Sequence, residues 1–340
     1  MAFSRVLSLL VIAFAAQLMV IGAAEAPPDP EPTNSDESGG LDTSLAKFFP
    51  SIPHLSAKIY ATEDVKGQDA DLGMSYVSAG MIYPVWRPDK DSFAGLYVGG
   101  DGSIMNITGD AKYPVRGRNL PDELHELYLN IAYFHELGNG WTVGGFVRGG
   151  SASDQLFNST DEMSVRAAGF LRMPHGENNA WMVYLGFDSI SDFPYPVPGF
   201  GYSFKTDKIR GIVGAPFNAI TAEPWENVKF DFSYIPLRNV KAKAAYGPKD
   251  LIQGYVSAEW MSKRYLTADR RDGDDRLFYY EKNVKAGVEW LKWKRFSVDA
   301  HVGWAWDREF FEGDEYSDRN WNDVEIDDGI FGGISIRARF

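Results

Sequence analysis

The sequence predicts an all-β protein: a transmembrane antiparallel up-and-down β-barrel of about 14 strands, with 12 as the alternative count. Three observations predict it: a two-faced C-terminal hairpin, connections that alternate between short and long, and an N-terminal segment of export type. In the hairpin, Phe296, Val298, Ala300, Val302, Trp304 and Trp306 alternate with Ser297, Asp299, His301, Gly303, Ala305 and Asp307. Ile330, Gly332, Ile334, Ile336, Ala338 and Phe340 then alternate with Phe331, Gly333, Ser335, Arg337 and Arg339. A period of two belongs to strands, whose successive side chains point to opposite faces. Lipid outside and water inside would produce this pattern, as would the core and solvent faces of a soluble sandwich.

The N-terminus favours the membrane. Arg5 is the only early charge, an apolar run extends from Val6 to Ile21, and the small residues Gly22, Ala23 and Ala24 follow. This is the pattern of a cleaved signal peptide over residues 1–24; cutting after Ala26 would put Pro27 beside the bond. No other apolar run approaches the roughly 20 residues of a membrane helix, so a membrane-resident chain must cross as a closed barrel. Residues 25–54 read as a Pro-rich acidic linker that leads into a plug or periplasmic segment over 41–54. The barrel is expected over 55–340. Acids outnumber Lys plus Arg by 47 to 34, which argues against a nucleic-acid partner. Cysteine is absent, which excludes disulfides, thiol catalysis and thiolate metal sites.

Strands are expected near 55–64, 71–86, 92–106, 122–137, 140–151, 161–174, 179–190, 198–204, 208–222, 228–247, 250–266, 276–293, 295–309 and 328–340. Tight turns at 87–90, 138–140, 174–177, 205–208, 247–250 and 292–294 hold the Gly, Pro, Asn and Asp of short hairpins. Longer polar loops at 107–121, 152–160, 267–275 and 310–327 fall between them in phase. Membrane barrels show this asymmetry, with short periplasmic turns and long external loops. Segment 228–247 contains Pro236, yet Val228, Phe230, Phe232, Tyr234, Val240, Ala242, Ala244 and Tyr246 keep one parity. It is therefore expected as one long strand that outruns the bilayer, with Pro236 at a bulge or above the lipid. Outward aromatics at Trp141, Trp181, Trp260, Phe278, Tyr280, Trp290, Trp304 and Trp306 fit interfacial girdles.

The terminal run from Gly332 to Phe340 resembles the signal read by the barrel-assembly machinery. Ile334, Ile336 and Phe340 match its alternate apolar positions and final aromatic, while Ala338 stands where a larger residue is usual. On these residues the chain resembles bacterial outer-membrane β-barrel proteins over about 55–340. The segments Tyr234-Ile235-Pro236-Leu237-Arg238-Asn239-Val240 and Leu277-Phe278-Tyr279-Tyr280-Glu281-Lys282 make it most similar to an uncharacterised barrel family of unknown function. That family lends no catalytic residues. The resemblance implies the outer membrane of a Gram-negative bacterium, contact with its lipids and lipopolysaccharide, and assembly by that machinery.

Strand parity lists the inner face. It holds Lys58, Arg148, Arg166, Arg172, Lys229, Lys241, Lys243, Lys285, Arg337 and Arg339 against Glu126, Asp188, Asp231, Glu259, Glu289 and Asp299. Lys58, Arg172, Lys241, Lys243, Arg337 and Arg339 are expected near the periplasmic mouth, where a basic lumen would favour anions. The other reading is a paired ionic network filling a narrow lumen. Acidic external loops, including Asp314, Glu315 and Asp318, lack the spacing of a calcium loop and read as a solvated face. His301 beside Asp299 offers a base and its orienting carboxylate, without a serine to complete a triad. No catalytic residue, metal or cofactor is assigned, and no enzyme is expected. The expected function is a passive channel or small-solute uptake protein. The alternatives are an outer-membrane enzyme acting on lipid or peptide, and a structural or surface-interaction barrel.

Overall fold

The computed structural model describes residues 53–88, 94–236, 238–291, 296–319 and 322–338. The expected signal peptide, the linker and residues 41–52 of the expected plug lie outside them, as do Arg339 and Phe340. The strands are β1 (His54–Tyr60), β2 (Glu63–Asp64), β3 (Asp71–Trp86), β4 (Gly95–Gly109), β5 (Glu123–Glu136) and β6 (Thr142–Ser153). Then come β7 (Met163–His175), β8 (Asn179–Asp188), β9 (Val197–Lys205), β10 (Ile209–Ala215), β11 (Asn218–Ala222) and β12 (Val228–Ile235). The last are β13 (Asn239–Tyr246), β14 (Ile252–Tyr265), β15 (Arg276–Trp290), β16 (Phe296–Gly313), β17 (Val324–Ile326) and β18 (Gly329–Ala338).

The chain is an all-β, closed antiparallel barrel. Neighbouring strands pair in sequence, and β18 pairs with β1, Ile334 opposite Ala57, to close the wall. β2 and β17 only prolong the sheet at the long-loop, external end, against β3 and β16. Of 18 strands in the described residues, the other 16 form the wall. The two beyond the expected count are hairpins hidden in the segments 208–222 and 228–247. Proline lacks an N–H and fixes its φ, so Pro216 and Pro236 each end a strand. Asn218 accepts the Gly214 N–H at 3.0 Å across the first turn. The Arg238 N–H donates to Ile235 at 3.2 Å across the second.

The two faces separate as lipid and lumen require. Ile334 and Val302 are more than half exposed on the outside, while Arg337, Asp299 and Lys58 belong to the inner face. Val302→Arg puts a charge on the lipid face near mid-strand and is expected to cost about 2–4 kcal/mol in urea titrations of vesicle-inserted barrel. No measurable cost would argue against lipid contact there.

One strand changes face along its length. Between Tyr280 and Lys282 the register of β15 on β16 slips, and Asp307 takes a left-handed backbone at φ 53°. Lys282 and Arg319 hold its carboxylate at 2.6 and 2.7 Å. Such a bulge re-aims the residues beyond it. Below it Trp304 faces out; above it Phe310 turns inward, and Phe311 stacks on Phe278 at 4.6 Å. Phe278 and Tyr280, expected in the lipid-facing girdle, keep the outer parity of β15 but are buried under Phe311 and Tyr316 beside Trp260.

The wall is uneven in height. β3, β4, β14, β15 and β16 have 14 to 18 residues, whereas β10, β11, β12 and β13 have 7, 5, 8 and 8. At about 3.3 Å per residue and a tilt near 40°, eight residues rise about 20 Å, short of an apolar band of about 25 Å. Above the low strands the barrel narrows, because the outer ends of β14 and β6 meet. The Leu266 N–H donates to Ala152 at 2.7 Å, and the Ala268 N–H to Asp154 Oδ1 at 2.8 Å.

Candidate functional site

Long inward side chains on tall strands fill the external half of the lumen. Tyr128, Tyr265, Tyr279, Phe310 and Phe331 are fully buried there, joined from the loop between β4 and β5 by Tyr113. Burial raises the Tyr113 phenol above its ordinary pKa and keeps it neutral. At the centre, Glu281 is fully buried and accepts from Lys58 at 2.8 Å, Tyr60 and Tyr279 at 2.5 Å, and Asn283 at 2.7 Å. Lys263 reaches from β14 to Glu126 on β5 at 2.9 Å, and Arg148 pairs with Asp101. Asp101, Lys263 and Glu281 are absent from the expected inner face, although Glu281 lies in phase with Lys285 and Glu289 on the same strand.

The periplasmic half is packed less evenly: Phe134 and Tyr97 are buried there, whereas the Arg337 side chain is 45% exposed. One wall is apolar: Tyr97, Phe134, Phe146 and Phe170 pack together with Ile82. The opposite wall is charged. Lys243 pairs with Glu289 at 2.7 Å, and Arg337 approaches the same carboxylate at 3.9 Å with its side chain 45% exposed. Lys241, expected near the periplasmic mouth, lies instead close to the Pro236 turn, 3.9 Å from Glu259, which pairs across the sheet with Asn283 beside the central Glu281. Arg172 faces inward between Thr142 and Met182, without an ion pair among the described residues. Lys58 sits deeper, its ammonium over the Phe331 ring at 4.0 Å and bound to Glu281. Four of the six basic candidates thus have a carboxylate within 4.0 Å, and Arg339 falls outside the described residues.

The apolar wall continues into a cavity of about 530 Å³ bounded by the β8–β9 loop and the turns at Pro216 and Pro236. Tyr184 stacks on Phe217 at 4.3 Å and donates to the Ala215 carbonyl inside it. Gly199 leaves room for that ring: a Cβ there would lie 1.8 Å from Tyr184.

The acidic external loops are largely paired with their own arginines. Arg116 and Arg118 hold Glu312, Arg276 holds Asp314, and Arg319 holds Asp307 and Glu309. No cluster of three metal-type ligands occurs among the described residues. In the periplasmic turn after β11, the Lys249 hydrogen bond holds the Glu223 carboxyl below its usual range. His301 Nδ1 lies 2.7 Å from Asp299 Oδ1, but Nε2 packs on Gly333, where a Cβ would come within 2.7 Å.

The fold and its two faces define a transmembrane β-barrel of the bacterial outer-membrane class. No family model and no curated protein matches the sequence. Among solved structures, it is similar to the beta domain of the Bordetella autotransporter BrkA (11% identity, 85% of this chain and 99% of that chain, TM-score 0.32). An outer membrane channel from Pseudomonas putida F1 is similar at 9% identity over 86% and 97% of the chains, with a TM-score of 0.33. Outer membrane protease OmpT from Escherichia coli is similar at 11% identity over 84% and 91%, with a TM-score of 0.17. At such scores the likenesses assign no activity. They do correct one expectation: a protease is among the similar barrels, so this architecture does not exclude an enzyme.

Proposed function

We propose that the chain is a passive uptake barrel of the bacterial outer membrane, serving small anionic solutes with an apolar body. One observation carries the reading: a half-exposed basic wall faces packed aromatics that run into the 530 Å³ cavity, beneath a filled external half. Aromatic side chains on one wall suit an apolar body. Arg172, Lys243 and Arg337 give the lower lumen its basic bias and favour anions.

Liposomes carrying the full chain should admit benzoate and benzyl alcohol faster than empty liposomes. Combining Lys243→Gln with Arg337→Gln should slow benzoate severalfold and leave benzyl alcohol unchanged. Equal slowing of both would remove the basic bias, and no uptake above empty liposomes would remove the reading itself.

A further inference from the structure

The cavity lies where the wall is lowest, and its lining comes from both faces of the sheet. Ala167 and Gly169 belong to the outer face of β7, while Arg166, Phe170 and Tyr184 belong to the inner face of the same region. Below it are the turns at Pro216 and Pro236; beside it stands β14, several residues taller. The β8–β9 loop, residues 189–196, passes over the gap and presents Phe193 and Tyr195 outward, 64% and 71% exposed. Exposed aromatic rings on a loop at this level suit a lipid interface. An opening of this kind joins the bilayer to the vestibule sideways, bypassing the filled external half.

The polar end of the cavity is charged in a definite sense. Arg238 lies 3.5 Å from Asp188, which also holds Arg166 at 3.1 Å. Arg264 holds Asp192 of the overhanging loop at 2.8 Å, both side chains nearly buried. Three guanidiniums thus face two carboxylates, an excess of one positive charge at the edge of an apolar chamber. Arg238 is the most exposed of the three, at 37%. A guanidinium fork matches a carboxylate bidentately.

We propose that this gap is a lateral portal and binding site for an anionic single-chain amphiphile, a long-chain carboxylate, taken from the outer leaflet. The carboxylate meets Arg238, and the alkyl chain lies along Phe170, Tyr184 and Phe217 under the loop. The proposal deepens the uptake reading, since it names the solute class and its route. It also accounts for a barrel filled at its external mouth yet accessible below.

The test uses the full chain in phosphatidylcholine liposomes with tritiated palmitate and hexadecanol as probes. Saturable palmitate binding is expected, weakened about tenfold or more by Arg238→Gln, because a charge-assisted pair is lost. Hexadecanol binding should not change. Asp188 keeps Arg166 in that variant, so the wall retains its pairing. Phe193→Ser with Tyr195→Ser, both on the exposed loop, should weaken both probes together. Palmitate binding that is absent, or equal in wild type and Arg238→Gln, overturns the site. So does a phospholipid that copurifies in the cavity and is not displaced by palmitate. Binding without transfer into the liposome would sink the uptake reading and leave the site; benzoate uptake without palmitate binding would do the reverse.

Discussion

A barrel carrying Glu281→Ala is expected to lose about 3–5 kcal/mol of stability, read by urea titration in lipid vesicles. The pair it makes with Lys58 is no large source of stability in itself, since both ions were taken out of water. Removal of one partner is another matter. The Lys58 ammonium would stay on the inner face without its anion, and the Tyr60, Tyr279 and Asn283 donors would lose their acceptor. Glu281→Gln keeps the volume and one acceptor oxygen, and should fall between wild type and alanine. A loss below about 1 kcal/mol for Glu281→Ala would mean that water replaces the carboxylate, and that the centre of the barrel is wet.

The second large effect is on ion flow. With the external half filled, wild-type protein in a planar bilayer should pass little current. Tyr279 and Phe310 are both buried there, their rings 4.8 Å apart. Tyr279→Ala with Phe310→Ala should remove that packing, at up to about 3–5 kcal/mol for a large aromatic truncated to Ala, and create a steady conductance. Circular dichroism and heat-modified gel mobility would show that the double variant still forms a barrel. A folded variant that conducts no better than wild type would place the barrier elsewhere.

Much of this architecture was legible in the alternation of residues, and the losses have particular causes. The terminal strand was read correctly because one face is lipid and the other lumen along its described length. The hairpin at Pro236 is silent in the alternation because Ile235 pairs with Asn239, so both arms keep even residues outward and parity shows no break. At Pro216 the parity does change, from Ile209 and Val213 outward in β10 to Ile220 in β11. That signal was present. The face switch at Asp307 had none, since a left-handed aspartate looks like any other in a strand. The lumen charges showed in sequence, but their pairing did not: Lys58 and Glu281 lie 223 residues apart, and only barrel closure brings them together. The lateral cavity was illegible for the same reason. It depends on relative strand heights, which follow from where the two prolines stop the wall.

A lumen filled in its external half should be reached by a small solute from the periplasmic side alone. Native cysteine is absent, so a single engineered thiol reports access without interference. Ser233 lies half-buried on the inner face of β12, opposite Lys241 and beneath the filled external half. In sealed liposomes with the external loops outward, Ser233→Cys should resist a small membrane-impermeant thiol reagent added outside and react fully when it is loaded inside. Equal labelling from both sides would contradict a filled external half.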